Sequence, residues 1–261
     1  MRITQTELNA MPGRRRAAFV NSLSGFKSAN LVGTADATGR SNLAIMSSAV
    51  HLGSSPALMA LVIRPGGEER HTLHNILATE AFSINHVTAD IVPAAHQTAA
   101  RYPRDICEFT ATGLTPAWVE GFAAPLVAEA GLRLGLRLRE HQRLAINATH
   151  LLIGEIVLVE LQESWLNDAG GVDLHRAGSI ALSGLDTYCA PLPLKRMAYA
   201  KPDLPPREIA MDAPTNLDDS LTNTRNRPAL TQTGDAAAHA PGNSAPNSHS
   251  REKRHESATG S

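Results

Sequence analysis

Apolar side chains recur along the first part of the chain in short runs that are separated by turn-forming residues. The runs alternate with period two or are nearly continuous, and they occupy residues 29–34, 42–50, 57–64, 81–87, 132–138 and 149–161. Such runs, bounded by Gly, Pro, Asn and Asp, predict β-strands. The last run contains Gly154 and predicts a long strand, or a bent pair of strands, broken at that glycine. DATGR at 36–40 predicts a hairpin turn.

Helical spacing is confined to a few segments. Residues 14–24 predict a short helix, and residues 72–77 predict a second one with Thr72 as its N-cap. Residues 88–102 predict a third, whereas 103–130 are interrupted by Gly and Pro and predict irregular structure. Short strands without regular strand–helix alternation indicate a mainly β fold with flanking helices, an antiparallel barrel rather than a doubly wound sheet.

Composition changes abruptly after Tyr199. Residues 200–261 contain no Phe, Trp, Tyr, Val or Cys. A segment of this kind cannot bury enough apolar surface to offset the entropy lost on ordering. We therefore predict one folded domain over residues 1–202 and a disordered low-complexity tail over 203–261.

Charge and hydropathy argue against several classes of function. The 24 Lys and Arg residues nearly balance the 25 Asp and Glu residues, which favours neither a nucleic-acid partner nor a membrane surface. No apolar run reaches the roughly 18 residues of a membrane span, and the N-terminus lacks a signal-peptide pattern. Cys107 and Cys189 lack metal-ligand spacing. These features predict a cytoplasmic protein.

One stretch has residues suited to binding a phosphate. A buried strand ends in Arg64, and after a glycine turn Arg70, His71 and Thr72 open a helix. A helix start offers unpaired N–H groups and positive potential, to which guanidinium and hydroxyl groups add donors. Judged from these residues alone, a phosphate site and an ordinary capped helix are about equally supported, since any helix start attracts anions.

Other motifs fail on spacing. Residues 33–41 have five residues between the glycines and Arg where a phosphate loop needs Lys. Gly131 and Gly135 do not form a dinucleotide-binding glycine pattern. His71 and His74 have no accompanying carboxylate-rich segment, so we predict no metal site.

Several separate blocks follow one another in order between residue 11 and Pro202. They include SLSGFKSANLVGT (22–34), SNLAIMSS (41–48), SSPALMALVIRP (54–65), RHTLHNI (70–76), FSINHV (82–87), AHQTAARYPRDICEFTATGLTP (95–116), APLVAEAGLRLGLRL (124–138), LLIGEIVLV (151–159) and AGSIALSGLDTY (177–188). Together these blocks resemble the flavin reductase and flavoredoxin family, whose members have an FMN-binding split barrel.

The resemblance implies FMN as the cofactor and an antiparallel split β-barrel as the fold. The strand 42–49 would lie beside the isoalloxazine ring, and the segment around the second helix would hold the ribityl phosphate. The residues that it assigns to the flavin are Asn42, Leu43, Ala44, Ser47, Ser48, Ala49, Arg64, Arg70, His71, Thr72, Asn75 and Asn85. His96 would contact nicotinamide, and no catalytic acid or base is implied.

The resemblance leaves more than one activity open. Members of the family typically act as homodimers that transfer a hydride from NADH or NADPH to flavin, in some cases as the reductase component of a monooxygenase. An FMN-carrying electron-transfer protein, reduced by a partner protein, is the alternative. A related split barrel that carries haem or a pyridoxal-type phosphate is a third reading.

Overall fold

The computed structural model describes residues 1–66, 70–168 and 170–211. Its α-helices are Gln5–Ala10 (α1), Gly13–Ser22 (α2), His71–Thr79 (α3), Val92–Gln97 (α4) and Glu108–Thr112 (α5). Its strands are Lys27–Ser28 (β1), Asn30–Ala35 (β2), Ser41–Met46 (β3), Ala49–Ser54 (β4), Ala57–Ile63 (β5), Ala81–His86 (β6), Pro116–Ala117 (β7), Leu126–Val127 (β8), Arg133–Arg143 (β9), His150–Glu160 (β10), Ala181–Ser183 (β11), Thr187–Cys189 (β12), Arg196–Met197 (β13) and Glu208–Ile209 (β14). Short 3₁₀ turns lie at Ala89–Ile91 and Glu163–Trp165.

A seven-stranded antiparallel sheet organises the molecule. Its strand order is β3-β2-β6-β9-β10-β5-β4. The two edge strands, β3 and β4, are neighbours in the chain and are separated only by Ser47 and Ser48. Three consecutive Cα–Cα steps of 3.8 Å hold Met46 and Ala49 within about 11 Å, so the sheet must curl until its two edges approach one another.

No strand ladder joins β3 to β4 within the described part of the chain. The curled sheet is therefore a barrel with an open seam between these strands. This architecture confirms the predicted antiparallel split barrel with flanking helices. The predicted single strand at 42–50 is in fact two strands, because the chain passes from one sheet edge to the other at Ser47 and Ser48.

Helix α3 is anchored by the interior of the barrel. Leu73 and Ile76 pack in one apolar cluster with Phe82, Leu136 and Leu152. Burying an aliphatic side chain of this size contributes roughly 1.5–3 kcal/mol. The packing of these two side chains therefore holds the helix firmly against the barrel and determines where its first turn lies.

A second apolar cluster lies on the other side of β3. Leu43 of β3 packs there with Val87, Phe109 and Ile180. Helix α5, which carries Phe109, lies inside the segment 103–130 that was predicted to be irregular. The five-residue helix forms because Phe109 and Glu108 are both buried against β3.

Of the two alternatives predicted for the run around Gly154, the long strand is confirmed, and the break at this glycine is not observed. Strand β10 runs without interruption over His150–Glu160, and only its register against β9 shifts between Ile153 and Gly154. A Cβ atom at this position would lie 2.6 Å from Cζ of Phe82. The glycine is needed because the aromatic ring packs directly on the strand.

The C-terminal boundary of regular structure lies beyond the predicted position. Strands β13 and β14 pair across the residue at which the folded domain was predicted to end, residue 202. The described part therefore includes residues 203–211 of the predicted tail. The remainder of that prediction, 212–261, lies outside the described residues.

His86, at the end of β6, is a largely buried histidine. Its Nδ1 atom lies 2.9 Å from Oγ of Ser179. Burial lowers the pKa of His86 from 6.5 to about 4, because the charged imidazolium loses hydration inside the protein. The folded protein therefore holds this ring neutral at pH values where the unfolded chain binds a proton.

We expect the free energy of unfolding to fall by up to about 3 kcal/mol through His86 as the pH drops from 6.5 to 4. The stabilising effect is complete above the pKa of the unfolded chain and is lost as the pH approaches the lower folded-state pKa. Urea denaturation between pH 7 and pH 4 should show a steeper loss for the natural protein than for His86→Gln. If the free energy of unfolding depended on pH in the same way for the two proteins, the attribution of this pH dependence to His86 would be wrong.

Candidate functional site

The first turn of α3 has no side-chain cap. The helix begins at His71, Arg70 occupies the N-cap position, and no side chain bonds to the N–H groups of the cap. The predicted capping role of Thr72 is wrong, because that residue lies within the first turn and is only 7% exposed. The turn therefore presents backbone N–H donors, together with the positive end of the helix dipole.

Thr72 instead connects α3 to the edge strand β3. Its Oγ1 atom accepts a hydrogen bond from Nδ2 of Asn42 at 3.0 Å. Thr34 Oγ1 on β2 accepts from both Asn42 and Asn75, at 3.3 and 3.2 Å. This buried network fixes the helix start against two strands. Since the Thr72 oxygen acts as acceptor towards Asn42, its own O–H group can still donate.

Two arginines stand at this helix start. Arg64 directly follows β5 and Arg70 precedes α3, and both are exposed. Within residues 1–66, 70–168 and 170–211 neither has an ion pair. The Arg70 side chain lies over Gly66, where a Cβ atom would come within 2.7 Å of Arg70 Cγ. The absence of a side chain at Gly66 thus makes room for the arginine.

Lys27 adds a third positive charge that sequence reasoning missed. Its Nζ atom donates to the backbone oxygen and Oδ1 of Asn21 and to the carbonyl of Gly184. Burial, and then the charge of Arg64, lower the pKa of Lys27. Positive potential at this end of the molecule therefore extends beyond the two predicted arginines.

The outward edge of β3 is largely occupied by side chains. The N–H of Leu43 donates to Oε2 of Glu108 at 3.1 Å, and that of Ile45 donates to Oγ1 of Thr98 at 2.8 Å. Leu43 is also fully buried. Its side chain and its N–H group are therefore engaged within the fold, and the predicted flavin contact of Leu43 stays a prediction. Ala44 shares a strand face with Asn42, two residues away, and is partly exposed.

The seam residues Ser47, Ser48 and Ala49 are all partly exposed. Ser48 is held to β5, because its Oγ donates to the carbonyl of Val62 at 2.6 Å and its carbonyl accepts from the N–H of Val62. The seam therefore has a defined position. It lies between the end of β3 and the strand that leads into Arg64.

Asn85 belongs to the core and not to the lining of the site. It is fully buried, and its Nδ2 donates to the carbonyl of Leu31 and to Oγ of Ser83, both at 2.9 Å. Its Oδ1 accepts from the N–H of Val127 at 2.9 Å. The side-chain amide of Asn85 thus joins three strands, and its predicted place among the flavin-binding residues stays a prediction.

A small polar cleft of about 20 Å³ adjoins the α3 start. It is lined by Asp36, Arg40, Ser41, Asn42, His71, Asn75, Arg104, Ile106 and Glu108. Asp36 accepts hydrogen bonds from Thr38 and Arg40, which hold the pKa of its carboxyl well below the usual range. Arg104 approaches the same carboxylate at 3.8 Å. Arg40 was not predicted to lie at the site, since the turn at 36–40 gave a sufficient structural reason for this arginine.

His96 lies apart from the other predicted residues. An open groove of about 660 Å³ beside α4 is lined by Val92, Pro93, His96, Asp186, Thr187 and Tyr188. His96 Nδ1 lies 2.9 Å from the Tyr188 hydroxyl, and the two rings meet edge to face at 79°. Burial, and then the charge of Asp186, raise the pKa of Tyr188. The groove shares no lining residue with the start of α3.

Two further kinds of feature are absent from the described residues. No group of three or more His, Cys, Asp or Glu side chains there is arranged to hold a metal ion. Within the same residues, no helix has the length and apolar character needed to cross a membrane.

Comparison with known proteins gives consistent results. The model of the family described as "Flavin reductase like domain" matches residues 23–176. A split barrel domain protein from Shewanella frigidimarina NCIMB 400, described as a flavin reductase candidate, is 48% identical with a TM-score of 0.74, and the match covers 77% of this chain and 100% of that chain.

Two more distant structures share the fold. Flavoredoxin of Desulfovibrio vulgaris (Miyazaki F) is 26% identical with a TM-score of 0.57, and the match covers 69% of this chain and 92% of that one. Nitrilotriacetate monooxygenase component B from Bacillus cereus is 22% identical with a TM-score of 0.67, covering 75% and 98% of the two chains.

Proposed function

The chain belongs to the flavin reductase-like domain family and has a split barrel, and on this premise we propose that it binds FMN and reduces it with NADH or NADPH. The observation that carries the proposal is the uncapped start of α3 beside the barrel seam, flanked by Arg64 and Arg70. A phosphate at this position meets backbone donors and positive potential. When bound, the flavin supplies the two-electron hydride chemistry.

The residues at the phosphate end fit such a group. The first-turn N–H groups of α3 and the Thr72 hydroxyl are donors, and Arg64, Arg70 and His71 surround them. Asn42 and Asn75 act through the network that holds Thr72 and Thr34 in place. In this proposal Asn42 and Asn75 position the phosphate-binding donors, while the arginines make the charged contacts with the phosphate.

The residues at the ring end fit a flat heterocycle. Ala44 offers a small side chain on the same face as Asn42, and Ser47, Ser48 and Ala49 offer backbone groups at the seam. N–H donors placed there would stabilise negative charge that develops on the ring during reduction. No side chain of the chain is assigned as an acid or base, because holding one face of the ring accessible is sufficient for hydride transfer.

The small polar cleft supports FMN over FAD. It adjoins the phosphate end at Asn42, His71 and Asn75, and its volume of about 20 Å³ admits a group no larger than a water molecule. Asp36, Arg40 and Arg104 also line this cleft, and both arginines pair with the Asp36 carboxylate. The adenylate of FAD, if it extended from the phosphate into this cleft, would have to displace Asp36, Arg40 and Arg104. FMN ends at its phosphate and would not displace them.

We expect Arg70→Ala combined with Thr72→Ala to weaken FMN binding at least tenfold, because hydrogen bonds to charged groups contribute about 1.5–3 kcal/mol each. Gly66→Ala should also weaken it, since the added methyl group displaces Arg70. Quenching of FMN fluorescence by the purified protein measures both effects.

Gly13→Ala is the matched control, because a Cβ atom at Gly13 meets nothing within 4 Å. It should bind FMN as the natural protein does. Unchanged affinity in the double variant, with its fold intact by circular dichroism, would refute the phosphate assignment.

The electron-transfer alternative is favoured by the likeness to a flavoredoxin. Anaerobic stopped-flow mixing separates it from the reductase. We expect NADH or NADPH to bleach the visible absorption of the FMN-loaded protein within the dead time or in seconds. If neither nucleotide bleaches the flavin, the protein is not a nicotinamide-dependent reductase and requires a partner protein as reductant. A monooxygenase as recipient of the electrons and a cytoplasmic location stay predictions.

We also propose that the protein is a homodimer. Edge strand β4 contains no buried residue, and Val50 and Leu52 are 55% and 50% exposed. An exposed apolar edge strand is a surface that native proteins usually cover. Sedimentation velocity should show a dimer that Val50→Lys with Leu52→Lys converts to monomer. A monomer at all concentrations would contradict the proposal.

A further inference from the structure

We propose that the groove beside α4 binds the adenosine half of the nicotinamide dinucleotide, and that Asp186 makes this site selective for NADH over NADPH. The inference rests on the proposed reductase function and adds the choice of reductant to it. Its ligand class is an adenosine whose ribose carries no 2′-phosphate.

The groove has the dimensions and the chemistry of a nucleotide site. Its volume of about 660 Å³ falls within the range of ligand pockets. Val92 and Pro93 supply apolar surface, and Tyr188 supplies an aromatic ring. The contact between His96 Nδ1 and the Tyr188 hydroxyl, at 2.9 Å, holds that ring in one orientation. A base can therefore pack there without first ordering the side chain.

Asp186 is the residue that recognises the ribose. It is exposed at the turn between β11 and β12, and its closest recorded donor is the Thr187 hydroxyl at 3.4 Å. Its carboxylate oxygens can therefore accept hydrogen bonds from the two hydroxyl groups of a ribose. A carboxylate performs this task in other NAD-binding sites, where arginine serves for the 2′-phosphate of NADP.

The charges around the groove disfavour a 2′-phosphate. The lining residues include one carboxylate and neither Lys nor Arg. Lys27 donates to the carbonyl of Gly184 in the same turn, but its three donors are engaged with Asn21 and Gly184. A phosphate next to Asp186 would face like charge and would receive no further hydrogen bond from Lys27.

The position of the groove relative to β3 suits the remote half of a dinucleotide. The Thr98 hydroxyl, at the end of α4, accepts the N–H of Ile45 at 2.8 Å. Val92 and Tyr188 pack on the same apolar cluster as Ile45. The groove is thus one helix away from the strand assigned to the flavin, yet it shares no lining residue with that site. The proposal therefore places the nicotinamide half at the ring and the adenosine half in the groove.

Calorimetric titration of the full-length, flavin-free protein tests the inference without any redox step. We expect ADP-ribose to bind at least tenfold more tightly than 2′-phospho-ADP-ribose. Asp186→Asn should reduce this ratio towards one, and Asp186→Arg should reverse it. Asp203→Asn, another exposed aspartate outside the groove, is the control and should leave the ratio unchanged.

Equal affinities for the two probes, a ratio that Asp186→Asn leaves unchanged, or no binding of either probe would each overturn the inference. These outcomes are separable from failure of the proposed function, which is measured by flavin bleaching with either nucleotide. A protein that reduces FMN equally well with NADH and NADPH would keep its proposed activity and lose the assigned role of Asp186.

Discussion

The two-residue connection between β3 and β4 is the constraint on which the rest of the structure depends. These strands end the sheet on opposite sides and yet are joined by Ser47 and Ser48 alone. The sheet must therefore curl, and the seam must lie where the chain crosses between its edges. The start of α3 is brought to the seam because Leu73 and Ile76 enter the barrel interior. The buried apolar interior and the accessible backbone edge thus follow from the same closure.

A barrel that stays open at one seam leaves backbone groups of its edge strands without partners. Buried amides of this kind are costly unless they are hydrogen-bonded. Glu108 and Thr98 satisfy two of them on β3, at Leu43 and Ile45. The helices α4 and α5 therefore have a structural task besides covering apolar surface. They cover the β3 edge at Leu43 and Ile45, and they leave the seam at Ser47 accessible to a ligand.

Local pattern was sufficient for the strands and for the helix start, since periodicity and turn residues depend on near neighbours. It was insufficient where a residue far away in the sequence determines the position or the role of a side chain. Asn75 and Asn85 look alike in sequence, but they have different surroundings. Asn75 lies beside the α3 start, whereas the side-chain amide of Asn85 is hydrogen-bonded to Leu31, Ser83 and Val127. Thr72 has the residue type of an N-cap, yet Asn42, 30 positions earlier, orients its hydroxyl. The contributions of Lys27 and Arg104 likewise depend on contacts across the fold.

The distribution of charge gives the two proposed sites different ligands. The α3 start combines a helix dipole with exposed arginines and favours a doubly charged phosphate. The groove beside α4 presents Asp186 and favours hydroxyl groups. Because the α3 start offers donors to phosphate oxygens and the groove offers a carboxylate to hydroxyl groups, the two sites recognise different parts of a nucleotide. A reductase that must hold two nucleotides at once needs such a difference, and here it arises from side chains around the α3 start and around the groove without any change in the barrel.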